Sequence, residues 1–243
     1  MREDGFLILH FFLPFARLRI LQKGVGHMRL RKLSPQTIIR LLTIFIMLLM
    51  SQTTFYFLTL NTFLAYVPIE LTFQIQRTNR IWVQKMLAAF WLLFFPNIPY
   101  LASDIIHADL LTIYSPMGSV PSVRLWGLLI ILFLVVFAYI IWGFTQLLAL
   151  MTALQIKYRL KSWISWGILL GICFLSSMGI YAGRFPPRLH SVYFLTDPWQ
   201  VVDIIFLQWS VKKLELVILF WFLHLGILFV LYIHERLRQE VVK

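Results

Sequence analysis

The sequence predicts an all-α membrane protein, a bundle of about six transmembrane helices with the N and C termini cytoplasmic. Three observations predict it. First, 60% of the 243 residues are apolar and only 13% are charged, against about 25% charged in a soluble domain, so a soluble fold could not keep its surface wet. Second, apolar runs long enough to cross a hydrocarbon core of about 30 Å recur along the chain. Third, the positive charge becomes one-sided once those runs are laid across a membrane. The same composition excludes other classes. Cys173 is the sole cysteine, which excludes a disulfide scaffold, and the hydrophobicity excludes disorder.

Residues 1–37 read as a basic cytoplasmic N-terminal segment. Its apolar run Phe6–Ala16 is too short to span. Glu3 and Asp4 precede it and no small-x-small cleavage site follows, which argues against a signal peptide. The run is either an amphipathic helix on the inner interface, held by Arg17, Arg19 and Lys23, or it lies upstream of a translation start at Met28. The second reading is preferred, because Arg29, Arg31 and Lys32 directly precede the first span.

Residues 38–234 read as a single polytopic membrane domain, and 235–243 as a short cytoplasmic tail. The 39 residues from Ile38 to Gln76 are too many for one crossing. Two helices fit, Ile38 to about Met50 and Phe55–Gln76, joined at the polar Ser51-Gln52-Thr53-Thr54. The rival is one long span followed by an interfacial helix. The remaining spans are Ile81–Leu101, Leu125–Leu150, Trp163–Tyr181 and Leu214–Ile233.

Charge tests this division. With six spans and both termini inside, the inner segments hold Arg2, Arg17, Arg19, Lys23, Arg29, Arg31, Lys32, Arg40, Arg77, Arg80, Lys85, Lys157, Arg159, Lys161, Arg236, Arg238 and Lys243, which are 17 of the 22 Lys and Arg residues. Arg124, Arg184, Arg188, Lys212 and Lys213 fall outside. Positive residues are retained on the cytoplasmic side, and a five-span division would spoil the bias. The net charge of +12 is therefore a topology signal. It is not a nucleic-acid footprint, because no recognition module or basic stripe accompanies it.

Ionisable groups in or beside a span ask for a reason. The richest stretch is FFPNIPYLASDIIHADLL, Phe94–Leu111, at the outer end of the third span. On a continuing α-helix Asn97, Tyr100, Asp104 and His107 fall within an arc of about 80°, and Pro96 and Pro99 bend or widen that helix. The functional reading is a polar pocket opening outward. Asp104 and His107 form its catalytic pair, the carboxylate orienting the imidazole as a base, while Asn97 and Tyr100 orient a ligand. The alternative is an interfacial helix end. Arg184, at the outer end of the fifth span, is the third ligand-binding candidate, as an anion clamp or a partner for Asp104; the other reading is snorkelling to headgroups. Gly167 with Gly171 and Gly179 with Gly183 place small residues at a spacing that lets helix backbones approach closely.

Three stretches resemble a known family. NTFLAYVPIE (Asn61–Glu70), the Phe94–Leu111 stretch and GIYAGRF (Gly179–Phe185) are similar to the signatures N-x-F-L-A-W-x-P, F-L-P-N-A-P-Y-x-x-x-D-x-x-H and G-x-Y-x-G-R-F of the domain-of-unknown-function 1361 family. The resemblance runs from about Asn61 to the last span. It implies a bacterial integral membrane protein and no particular reaction. After G-R-F the family usually shows a W-N-S-W-D run and then L-x-N-P. Here PPRLHSVYFLTDP stands in its place, so an acidic position is lost. A Trp-Tyr-Asp run before the fourth span is likewise replaced by SPMGSVPSVRLW.

Other chemistry is weaker. A metal would draw on Asp104 and His107 with His190, Asp197 or Asp203, but a single D-x-x-H falls short of the paired motifs of carboxylate metal bundles. No metal and no cofactor is expected. Ser191 adjoins His190 without a nucleophile elbow, and Cys173 reads as a small apolar filler. His224 reads as a hydrogen bond to a neighbouring helix. Glu70 must meet Lys85, a cavity or water, or else be protonated. No phosphate-binding glycine loop occurs. The reading is a cell-membrane, multi-pass protein whose outer polar pocket binds or processes a lipid or anionic ligand. The alternatives are a non-catalytic scaffold docking a protein partner through helix faces or outer loops, and then a transporter. Membrane lipids are the expected partners, and nucleic acid is not.

Overall fold

Ser34 opens the first helix: its hydroxyl accepts the Thr37 N–H at 3.1 Å, and Pro35 occupies the first turn, where a missing N–H costs nothing. The computed structural model describes residues 34–115, 118–119, 121–189 and 193–241. The readings of Phe6–Ala16, Met28, His190 and Ser191 lie outside the described residues.

Helix α1 (Pro35–Ser51) ends where the sequence places the break. The Ser51 hydroxyl donates to the Leu48 carbonyl, and Thr53 Oγ1 donates to the Met50 carbonyl while accepting the Phe55 N–H. Hydroxyls that bond to nearby backbone compete with the helical ladder. After this turn comes α2 (Phe57–Arg77), which carries Pro68 inside it. Helix α3 (Ile81–Phe94) returns and breaks at Phe95-Pro96, where Asn97 Nδ2 donates to the Phe94 carbonyl at 2.9 Å. A short α4 (Asn97–Ser103) follows, and the chain then tightens into a 3-10 helix over Asp104–Leu111. A two-residue antiparallel hairpin pairs Tyr114 with Ser119 and Ser115 with Gly118, with Gly118 at φ 112°.

Two long helices come next, α5 (Val123–Tyr158) and α6 (Ser162–Arg184). Short helices α7 (Tyr193–Thr196) and α8 (Pro198–Val202) lead into a π-helical turn, Asp203–Leu207. Asp197 caps α8 by accepting the Gln200 N–H at 3.0 Å. The last helix, α9, runs Val211–Val241.

By length and composition four stretches can cross a membrane: Ile81–Leu111, Val123–Tyr158, Ser162–Arg184 and Val211–Val241. Helix α1 is apolar but only 17 residues long, and α2 is not among the four. The interior of α2 holds Asn61, Glu70, Gln74 and Gln76, and each lowers its average hydropathy. Two of the six anticipated spans, α1 by its length and α2 by its polar residues, therefore stand outside the four stretches able to cross on their own. Large apolar side chains are exposed along the long helices, among them Leu48, Leu134, Phe137, Leu219, Phe222 and Phe229. A soluble protein rarely displays contiguous apolar surface on this scale.

The described chain divides into two compact units, with the boundary inside α5 between Gln146 and Leu147. In the unit before that boundary, α2 packs against α1, α3 and α4. Trp91 stacks on Phe95 with centroids 4.8 Å apart, and Phe95 meets Phe144 of α5 at 5.6 Å. Ile98 of α4 fits where Gly143 lacks a side chain: a Cβ there would lie 2.6 Å from Ile98 Cγ2. Buried Tyr139 donates to Thr43 Oγ1 at 2.6 Å, tying α5 to α1.

In the other unit α6 packs along α9. His224, fully buried, bridges the two helices as the sequence suggests. Its Nδ1 faces the Phe220 carbonyl at 2.7 Å, and its Nε2 faces the Ser176 hydroxyl at 2.9 Å. A carbonyl only accepts, so Nδ1 carries the proton and Nε2 accepts from Ser176 when the ring is neutral. A Cβ at Gly167 or Gly171 would meet nothing within 4 Å among the described residues, so none of them makes the close backbone approach that this spacing permits.

Candidate functional site

The sequence-predicted pair lies where α4 gives way to the 3-10 helix. In a 3-10 helix, side chains three residues apart eclipse one another. Asp104 opens that helix and His107 sits one turn later, so the change of pitch aligns them more closely than a continuing α-helix would. Their environments differ. Asp104 is fully buried and His107 half-buried.

Asp104 is held from α2. Asn61 Nδ2 donates to Asp104 Oδ2 at 2.7 Å, across 43 residues of sequence. A buried carboxylate is costly unless its oxygens are hydrogen-bonded, and Asn61 supplies a neutral donor without cancelling the charge. The adjoining Thr62 is also buried, and its hydroxyl finds no partner among the described residues. Across from it, the His107 ring packs against Phe57 with centroids 4.5 Å apart, so the first turns of α2 support both members of the pair.

The other candidates are placed differently. The Asn97 amide turns back onto the Phe94 carbonyl, so its donor shapes the Pro96 turn and is not aimed at Asp104. Tyr100 is half-buried in α4, and its carbonyl accepts the Ser103 hydroxyl at 2.7 Å. Arg184 is the last residue of α6 and belongs to the unit beyond Gln146. Beside it Tyr181 and Phe185 bring their rings to 5.3 Å, and the Leu189 N–H returns to the Ala182 carbonyl at 2.8 Å, folding the chain back over the helix end.

Two polar clusters escaped the sequence reading. Glu70 meets neither Lys85 nor water alone. Arg40 grips it from α1, with Nε to Oε2 at 3.0 Å and Nη2 to Oε1 at 2.7 Å, while Tyr66 donates to Oε2 and Gln74 to Oε1. The fork geometry is the strong form of this pair. Arg40 lies inside a helix, and its charge is met there by Glu70.

The second cluster centres on Lys213, which is 2% exposed. Its ammonium donates to the carbonyls of Ile204, Ile205 and Gln208 at 2.7, 3.0 and 2.7 Å. It also lies over the Trp209 and Tyr181 rings, 4.6 and 5.7 Å from their centroids. A cation at the carbonyl end of a helical turn satisfies orphan acceptors and complements the dipole. Lys213 thus pins the π-helical turn Asp203–Leu207 against α6 and α9.

Among the described residues no three His, Cys, Asp or Glu side chains gather as a metal set. Residues that follow His107 in the chain line a cavity of about 380 Å³: Ala108, Asp109, Thr112 and Ile113, with Leu129 of α5.

Comparison with known proteins gives one finding. A family model described as "Protein of unknown function (DUF1361)" matches residues 60–227, a stretch containing Asn61, Asn97, Tyr100, Asp104, His107 and Arg184. No curated protein and no solved structure matches the chain.

Proposed function

This chain belongs to the DUF1361 family, and from that premise we propose that it is a six-span protein of the cell membrane, both termini cytoplasmic, whose outer-end site binds or processes a lipid headgroup. One observation carries the reading: a fully buried Asp104, bonded to Asn61, stands one 3-10 turn behind a half-buried His107. Burying a carboxylate costs several kcal/mol unless something is gained, and a carboxylate behind an imidazole fixes its tautomer and favours the proton-accepting role. His107 is the group that meets the ligand, and Asp104 and Asn61 are its support. A lipid is favoured over a soluble ligand because the surrounding helices expose apolar side chains.

The remaining spans are α1 and α2, crossing as a pair. The Arg40–Glu70 fork lets α2 carry a carboxylate into the bilayer, since ionisable groups there are tolerated when paired. In this arrangement α2 enters from the outside with Asn61 near its start and leaves at Arg77 and Arg80, on the side richer in positive charge. Arg184, in the other unit, is a separate anion-binding candidate at the outer end of α6.

The test compares Asp104→Asn, His107→Ala and Arg184→Ala in cells that lack the native protein. Each variant should accumulate in the membrane like wild type yet give the deletion phenotype. Wild-type behaviour of all three would remove the site reading. It would leave a scaffold, for which the open Gly167 and Gly171 face of α6 is the specific support.

A further inference from the structure

The cavity beyond His107 has a lining that selects by charge. Its polar groups are the Asp109 carboxylate and the Thr112 hydroxyl, and Ala108, Ile113 and Leu129 are apolar. Among the described residues no Lys, Arg, His, Asn or Gln lines it, so this lining offers an anion no cationic donor. It also sits at the carbonyl end of the 3-10 helix Asp104–Leu111, where the last carbonyls present partial negative charge. The Thr112 N–H cannot offset this, because it is spent on the Asp109 carbonyl at 3.0 Å.

Thr112 adds a further sign. It closes the helix at φ 46°, a left-handed conformation that is costly for a β-branched residue. A glycine or asparagine would end the helix there at less cost. Holding a threonine in this backbone sets a hydroxyl-bearing side chain among the lining residues.

The occupant follows from the chemistry. A divalent metal needs several oxygen ligands, commonly with more than one carboxylate, and Asp109 is the one carboxylate among the described lining residues. The same lining gives an anionic headgroup no charge partner. What fits is an organic ammonium attached to an apolar body, the cation against Asp109 and Thr112 and the hydrocarbon along Ile113 and Leu129. We propose that this cavity is a subsite for the ammonium end of a zwitterionic phospholipid headgroup, of the ethanolamine class, drawn from the bilayer. The inference rests on the reading of His107 as a lipid-headgroup site and names the lipid class. The ammonium docks beyond the imidazole and leaves the phosphate side of the headgroup toward His107.

The experiment uses the full chain in nanodiscs, with photoactivatable analogues of phosphatidylethanolamine and phosphatidylglycerol whose crosslinks are mapped by peptide mass spectrometry. The ethanolamine analogue should label the Ala108–Ile113 segment or the turn of α5 around Leu129, and the glycerol analogue should not. Asp109→Asn should lower that labelling about tenfold, the scale of one lost charge-assisted bond, and Asp109→Glu should restore part of it. Unlabelled phosphatidylethanolamine should compete, and free ethanolamine at millimolar concentration should not. Equal labelling by both analogues, labelling indifferent to Asp109→Asn, or displacement by free ethanolamine would each overturn the lipid-ammonium subsite. His107→Ala separates the two levels. If His107→Ala removes labelling and Asp109→Asn does not, the headgroup site stands and the ammonium subsite falls. If Asp109→Asn removes it while His107→Ala is without effect on labelling and on phenotype, the cavity binds the lipid and the His107 reading falls.

Discussion

At the scale of single residues, Glu70 shows how far the chain goes to hold one charge. Its two oxygens take four hydrogen bonds, from Arg40 twice, Tyr66 and Gln74. The side chains of Arg40 and Glu70 are 34% and 25% exposed, so the pair is worth less than a fully desolvated one. Arg40→Met or Glu70→Met alone should lower stability in detergent by about 1–2 kcal/mol, because each strands the other charge. The double substitution should cost less than the two singles together, and a strictly additive double-mutant cycle by thermal unfolding would contradict the pairing. Thr62 makes the opposite prediction. Its buried hydroxyl has no partner among the described residues, so Thr62→Val should be neutral or slightly stabilising in the same assay. A stable Thr62→Val protein with the deletion phenotype would instead place that hydroxyl on the ligand.

Much of this scale was not legible in the sequence. Asp104 and His107 stood out because charged residues are scarce, but the Asn61 partner lies 43 positions away, and one-dimensional spacing carries no information about that contact. Arg40 was hidden by its neighbours, since Arg29, Arg31 and Lys32 make it look like one more topology charge. Lys213 was hidden likewise beside Lys212. The fate of Asn97 was set by Pro96, whose turn draws the amide back to Phe94.

Among the elements, the break between α1 and α2 was readable, because hydroxyls at Ser51, Thr53 and Thr54 compete for backbone. The change from α to 3-10 pitch at Asp104 was not, since Ser103 and Asp104 carry no distinctive stop signal. The seat of α4 depends on Gly143. Gly143→Ala should push Ile98 away and cost about 1–3 kcal/mol, and Ile98→Ala should recover part of that loss in the double variant. Failure of Ile98→Ala to help would mean that the contact does not set the position of α4. The π-helical turn depends on Lys213 in the same way. Lys213→Met keeps the bulk and removes the ammonium, leaving the carbonyls of Ile204, Ile205 and Gln208 without their donor. A cysteine at Leu207 should then react several-fold faster with a water-soluble maleimide than in the Lys213 parent, and an unchanged rate would show that the turn holds without its cation.

Over the whole molecule, four stretches are long and apolar enough to cross, while α1 and α2 are joined by the Arg40–Glu70 ion pair. Glu70 and Gln74 are affordable in α2 only with Arg40 beside them. On the proposed reading, polar residues satisfied between helices let α1 and α2 cross as well. Six crossings place Asn79, between α2 and α3, on the same side as Leu160, between α5 and α6, and opposite to Thr112. Single cysteines at these positions, labelled from the outside of intact cells, should react at Thr112 alone. Labelling at Asn79 would contradict the arrangement.

The central claim is that Asp104 and His107 form a headgroup site, and lipid retained by the purified protein tests it most directly. Native mass spectrometry of the detergent-solubilised full chain should show bound phospholipid in wild type. Retention should fall at least about tenfold in His107→Ala and Asp104→Asn, the loss of one charge-assisted contact or its orienting partner, while Thr62→Val serves as a folded reference. Equal retention of the same lipid by all four proteins would contradict the account.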